Sequence, residues 1–266
     1  MKANISNITN MSQRCIIAPA PVLNTPNFTY AFGGNSGSEV PCNEHGLPYH
    51  YEFVALPGDL CTVIATVSKT IAQVVFPFYS TRQLYVDLRF TAEEICAKKR
   101  TRPNPETILQ TMLDLVGAPY VWGGNWSFGI PELLDCYPPK GAINAQTKTL
   151  WTLKGVDCSG LFYQATNGTV PRNTSALVNE GKSITISELI KNPVPLDMLV
   201  YPGHVLFVID KEHVIESRHE YGQVAIRSLP NRLSELTRER TYVPFWTPNL
   251  NKEKHFTIRR QTLIAS

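Results

Sequence analysis

No stretch of this sequence stays apolar long enough to span a bilayer, so no transmembrane segment is expected. The opening residues, Met1 to Arg14, are rich in Asn, Ser and Thr and lack the basic start and apolar core of a secretory signal. A cytoplasmic location is therefore expected, with a periplasmic or wall-associated one left open to a route the sequence does not display. Excess charge is also missing. A formal net charge of +3 over 266 residues is too small to make nucleic acid the main partner. Close cysteine pairs are absent: Cys15, Cys42, Cys61, Cys96, Cys136 and Cys158 are scattered. The short spacing from Cys42 to His45 lacks the second half that a four-ligand zinc site needs, so neither metal nor cofactor is expected. Without a signal, reduced thiols are favoured over three disulfides. No low-complexity run interrupts a composition that is 43% apolar, which leaves a folded chain of one large or two modest domains.

What is present begins with short strands. Cys15 to Ala18 is an apolar run ended by Pro19 and Pro21, and Val22 to Pro26 reads as an extended piece entering a turn. Phe32 to Ser38 reads as a flexible Gly-rich loop. Leu60 to Val67, Ile71 to Phe78 and Gln83 to Phe90 carry β-branched or alternating apolar residues. Strands this short, joined by Pro and Gly turns, point to a small β-barrel over 1–100. Charged residues crowd between Thr91 and Asn104, and the domain boundary is placed near Arg100.

A second domain, 101–247, starts with a helix signal: Asn104 as N-cap, Pro105 at the first helical position and Glu106 at the positive end. Ile108, Leu109, Met112, Leu113 and Val116 make one apolar face, and Gly117 ends it. The stretch from Asn125 to Lys154 has little periodicity and is longer than the usual connection of about 4–6 residues, which marks it as a lid or a specificity insertion. Strands are expected at 196–201, 204–209, 213–217 and 223–229, with 242–246 closing the sheet. Helices first and an antiparallel sheet afterwards define an α+β domain. Lys252, Lys254, Arg259 and Arg260 mark 248–266 as a solvated basic tail.

Between these parts lies Gly155-Val156-Asp157-Cys158-Ser159-Gly160, followed by Leu161, Phe162 and Ala165 at helical spacing. This places Cys158 in the first turn of a helix, where the macrodipole lowers a thiol's pKa and free N–H groups can bind an oxyanion. A cysteine so placed is a nucleophile only if a base stands within reach; otherwise it is buried packing. Among six histidines, His204 follows Pro202-Gly203 and opens an apolar strand. Glu216, on the next strand and on the face of Val214, can fix its tautomer and stabilise the imidazolium.

Tyr120-Val121-Trp122-Gly123-Gly124, Asp157-Cys158-Ser159-Gly160, Pro171-Arg172, Gly203-His204-Val205 and Val214-Ile215-Glu216, in this order, resemble the NlpC family of bacterial cell-wall cysteine peptidases, which have a papain-like fold. The resemblance implies Cys158 as nucleophile, His204 as base and Glu216 in the place of the orienting residue, where the family commonly has His, Asn or Gln. It implies substrate contacts for Tyr120, Asp157, Ser159, Asn173 and Thr174, and peptidoglycan stem peptides or muropeptides as partners. The implied reaction is hydrolysis of the bond between γ-D-glutamate and a diamino acid such as diaminopimelate. A weaker resemblance, through Pro21 to Pro26 and Leu84 to Asp87, links 1–100 to the SH3-like barrels that precede such modules, with Tyr79 or Tyr85 either selecting a free peptide amino terminus or filling the barrel core. Two other readings stay open on the same fold: an inactive or regulatory peptide-binding protein, and an amidase or acyl transferase with another substrate.

Overall fold

The computed structural model describes residues 12–93 and 100–262. Among them no helix is long and apolar enough to cross a membrane. The chain runs through β1 (Gln13–Ile16), β2 (Ala20–Leu23), α1 (Phe28–Ala31), β3 (Tyr51–Ala55), β4 (Leu60–Thr66), β5 (Ile71–Phe76), β6 (Tyr79–Asp87) and β7 (Thr91–Ala92). After α2 (Pro105–Asp114) come β8 (Asn125–Trp126), α3 (Leu133–Cys136), α4 (Ala145–Trp151) and β9 (Gly155–Val156). Then follow α5 (Cys158–Ala165), α6 (Thr174–Leu177), β10 (Lys182–Ser183) and α7 (Ile186–Lys191). The last elements are β11 (Met198–Tyr201), β12 (His204–Val208), β13 (His213–Arg218), β14 (Gln223–Ser228), α8 (Leu229–Glu239), β15 (Thr241–Tyr242) and β16 (His255–Arg260). They group into two compact units, 12–93 with 128–154 and 100–127 with 155–262. Part of the polar stretch from Thr91 to Asn104, Cys96 included, lies outside the described residues.

The first unit is built on one antiparallel sheet in the order β3-β2-β6-β5-β4-β1-β7. Phe32, expected in a flexible loop, is instead buried in an aromatic cluster. Its ring stacks on Tyr137 at 5.1 Å and lies 5.7 Å from Tyr51 and 6.4 Å from Trp151. Tyr137 donates its hydroxyl to Asp87 at 2.6 Å, and Trp151 donates its indole N–H to the Tyr137 carbonyl at 3.0 Å. Residues 128–154 are thus packed into this unit by rings that bury large apolar areas while satisfying their polar ends. Tyr79 and Tyr85 are each 7% exposed, and Tyr79 packs on Phe53 at 4.5 Å and donates to Glu52 at 2.7 Å. Both tyrosines are core. Cys42, Cys61, Cys136 and Cys158 are free thiols, whereas Cys15 is disulfide-bonded, against the expectation of reduced thiols throughout.

The second unit is a sheet in the order β10-β16-β11-β12-β13-β14, with β15 pairing parallel to β16. Helix α2 starts as its sequence dictates, Asn104 accepting the Thr107 N–H at 2.8 Å. Alternation along the strands divides two faces. Phe207 meets Phe162 of α5 at 4.7 Å on one face. On the other, Leu206, Val208 and Val214 join Leu189 of α7 and Leu229, Leu233 and Leu236 of α8 in a single core.

Two expectations are corrected here. Residues 255–260, expected in a solvated tail over 248–266, are part of the sheet: β16 lies between β10 and β11, Phe256 and Ile258 enter the core, and Arg260 pairs with the buried Asp197 at 2.7 Å. The period-2 apolar residues override the basic ones beside them. Helix α8 was also unforeseen, although Ser228 accepts the Asn231 N–H as N-cap and a proline stands in its first turn. Of the expected closing strand 242–246 only Tyr242 falls within a strand, the short β15 beside β16.

Candidate active site

The site is assembled around the start of α5. Asp157 is its N-cap, accepting the Gly160 N–H at 2.7 Å and, through its other oxygen, the Gly123 N–H at 3.1 Å. That carboxylate also binds the Arg172 guanidinium at 2.6 and 3.0 Å. Arg172, only 2% exposed, donates further to Ser159 Oγ at 2.8 Å, to Asn125 at 3.1 Å and to the Gly124 carbonyl at 3.3 Å. Asp157 and Ser159, expected to line a substrate cleft, are buried and bonded to Arg172 and to the start of α5, so they hold the turn that carries Cys158. The glycines complete the fit. A Cβ on Gly160 would come 1.9 Å from the Gly124 carbonyl oxygen, and one on Gly124 would come 2.5 Å from that of Gly155. Only bare backbone allows β8, β9 and α5 to approach so closely.

Cys158 opens the helix with its sulfur 3.9 Å from the Gly203 carbonyl oxygen. The Val205 N–H also bonds the sulfur, so the thiol lies against the backbone on both sides of His204. This turn is fixed from behind by Thr174, whose hydroxyl accepts the Gly203 N–H at 2.8 Å. Burial pushes the Cys158 thiol up to about 12, and Asp157 adds to the rise; the Val205 and Ser159 N–H groups and Arg172 oppose it. The expectation of a depressed thiol is not met: burial raises it more than the neighbouring N–H groups and Arg172 lower it.

His204 is 8% exposed, and its Nε2 lies 2.6 Å from Glu216 Oε2. The register explains the meeting. Val208 opposes Val214 across β12 and β13, so His204 and Glu216 fall on the same face, the face covered by α8. From α8, Arg232 reaches Glu216 Oε1 at 2.7 Å and Oε2 at 3.1 Å. Glu216 has no solvent exposure. Burial pushes its carboxyl up, yet the hydrogen bond and charge of His204, together with Arg232, hold it below the usual glutamate range. A carboxylate at this place fixes the proton on Nε2 and leaves Nδ1 free to accept one. Because the carboxyl is depressed, its contribution to stability is present above the ordinary carboxylate range and is lost as pH falls through its own lower value. The stability that Glu216 adds over Glu216→Gln, read as a difference in Tm, is expected to shrink as pH falls below the ordinary glutamate value of about 4.3. Shrinkage that begins well above that value would show that Glu216 titrates high.

Of the remaining expected residues, Tyr120 is half-buried, its ring 5.6 Å from His219 in an edge contact. Burial, then the charges of Cys158 and Asp157, push its phenol up. Asn173 precedes α6 without a side-chain cap bond. Beside His204 opens a cavity of about 290 Å³ whose walls include Tyr120, Tyr201, Arg218, Arg240 and Lys252. Arg240 stacks over the Tyr201 ring at 3.7 Å, and its Nε is buried with no hydrogen-bond partner among the described residues. Among those residues no group of three or more His, Cys, Asp and Glu side chains is arranged to hold a metal ion. Sequence reasoning quoted Arg172 only as part of a motif, without a role, and missed Arg232 as a member of the site. The signal for Arg232 was its place in the stripe Leu229, Leu233, Leu236, where a charge must have a buried partner.

No protein-family model matches this chain, and no curated protein matches it. Solved structures do. The peptidoglycan hydrolase RipB of Mycobacterium tuberculosis is 20% identical, with a TM-score of 0.35 over 59% of this chain and 63% of its own. An NlpC/P60 family protein of Bacillus cereus is 16% identical, with a TM-score of 0.36 over 95% and 64%. RipD of M. tuberculosis, described as a non-catalytic NlpC/p60 domain protein adapted to peptidoglycan binding, is 16% identical, with a TM-score of 0.35 over 59% and 95%. The matches to the first two thus span less than two thirds of the length of those chains. These NlpC/P60 structures are what the chain is similar to.

Proposed function

We propose that this chain is a cysteine endopeptidase that hydrolyses peptidoglycan stem peptides between γ-D-glutamate and the following diamino acid. The observation that carries the reading is the thiol of Cys158, held against the backbone flanking a histidine whose far nitrogen is fixed by a buried carboxylate. In this mechanism His204 Nδ1 takes the Cys158 proton as the sulfur attacks the amide carbonyl. Backbone N–H groups of the first turn of α5 hold the oxyanion. The imidazolium, stabilised by Glu216, gives its proton to the departing amine, which leaves an acyl-enzyme. A water then loses a proton to His204 and attacks the thioester; the thiol is regenerated and one water is consumed per bond cut. We read residues 1–100 as an SH3-like accessory domain.

The test is incubation with L-Ala-γ-D-Glu-diaminopimelate and with digested muropeptides, followed by mass spectrometry of the products. Release of diaminopimelate with gain of one water supports the proposal. Bound but intact peptide would favour a peptide-binding protein instead. Products carrying a transferred acyl group would favour an acyl transferase.

The cavity beside His204 adds a further expectation. Arg240, stacked over Tyr201, shares the wall with Arg218, Lys252, Glu220 and Glu253, and its guanidinium is the group there suited to a substrate carboxylate. Arg240→Gln is expected to raise KM for stem peptides about tenfold and to leave kcat within about threefold, since a charge-assisted bond is worth about 1.5–3 kcal/mol. An unchanged KM would remove Arg240 from the binding surface.

A further inference from the structure

Glu216 sits in surroundings that a neutral side chain in its place would not require. It is wholly buried, and both of its oxygens are engaged, by His204 on one side and by the Arg232 fork on the other. A carboxylate at that depth with only an imidazole for company would be driven to take a proton. As a neutral acid it would no longer stabilise an imidazolium. Arg232 is itself 3% exposed and donates its remaining Nη1 to Glu235, one turn further along α8. Basic and acidic side chains therefore alternate along His204, Glu216, Arg232 and Glu235. The Glu216–Arg232 pair is neutral as a unit, and Glu235, partly exposed, carries the line to the surface.

The placement of Arg232 is costly for packing alone. It lies three residues after Leu229 and one before Leu233, both in the core of the sheet face it covers. A hydrophobic residue there would often be neutral or stabilising, because an ion pair at such depth must offset the desolvation of two charges. Burying this guanidinium makes sense through what it does to Glu216.

We infer that Arg232 is a positioning residue for the Cys158–His204 pair: it keeps Glu216 ionised and pins both carboxylate oxygens, so that His204 meets one fixed acceptor. The inference rests on reading Cys158 and His204 as nucleophile and base. It makes residues 216 and 232 a single functional unit, in which a glutamate requires an arginine and an amide does not.

A double-mutant cycle tests it, read by the rate at which iodoacetamide labels Cys158 in the full chain at about pH 7. This measurement needs no substrate. Labelling is followed by peptide mass spectrometry, because Cys42, Cys61 and Cys136 are also free. Arg232→Met is expected to slow labelling of Cys158 about tenfold or more, because protonated Glu216 cannot support the imidazolium that accompanies the thiolate. Arg232→Lys, which keeps the charge, is expected to stay within about threefold of the wild type. Arg232→Met combined with Glu216→Gln is expected to label no more slowly than Glu216→Gln alone. Losses that simply multiply in the double variant, or an Arg232→Met that labels as fast as the wild type, would overturn the inference. Should Arg232→Met fail to fold, as followed by thermal unfolding, the comparison of the double variant with Glu216→Gln decides. A wild type that cuts no stem peptide would sink the peptidase reading and leave the outcome of this cycle separate.

Discussion

Cys158→Ala is expected to lower the hydrolysis of L-Ala-γ-D-Glu-diaminopimelate by about four orders of magnitude or more, because loss of a nucleophile removes the covalent route altogether. What remains is the binding energy of the cleft and the first-turn N–H groups of α5, neither of which supplies an attacking atom. The variant should still fold. Asp157 keeps its cap bond to Gly160, Arg172 keeps its cluster, and the small side chain leaves the helix start intact. Substrate binding, measured by calorimetry, should survive, which separates lost chemistry from lost structure. Activity within tenfold of the wild type would show that Cys158 is not the attacking group.

The second large effect falls on stability. Arg172→Met is expected to destabilise the protein by about 3–5 kcal/mol, the range for breaking a buried ion pair by removing one partner. Its guanidinium is almost wholly buried and satisfies Asp157, Ser159, Asn125 and the Gly124 carbonyl together. Without it the Asp157 carboxylate remains in the interior with no cation, and the cap of α5 loosens. Chemical denaturation measures the loss as a lower midpoint with an unchanged slope. Adding Asp157→Asn should recover part of it, since an amide still caps the helix and carries no charge to neutralise. A loss under about 1 kcal/mol would mean that Arg172 is not what holds the loop.

Much of the site was legible because its devices are local or periodic. Asp157 before Cys158 is a cap read from one neighbour to the next, and Pro202-Gly203 before His204 is a hairpin turn. Strand alternation alone puts Glu216 on the face of Val214, and the register brings it to His204 across 12 residues. The burial that raises the Cys158 thiol was not legible. The helix end is visible in a sequence, whereas the burial of the sulfur depends on Gly203 and Val205, which come from a distant part of the chain.

What the sequence by itself determined are the features governed by a few adjacent residues: the N-caps at Asn104 and Asp157, the strand periods, and the order of cysteine, histidine and carboxylate. Only the tertiary structure decided which charged groups are paired and where irregular segments belong. Residues 128–154 join the first unit because Tyr137 and Trp151 find rings there. Residues 255–260 enter the second sheet because Phe256 and Ile258 fill its core and Asp197 receives Arg260 from 63 positions away. Arg232 reaches Glu216 only after α8 has folded down on its leucines. The physical reason is the same in each case. Desolvation of a side chain is set by everything that packs around it, and those neighbours come from distant parts of the chain.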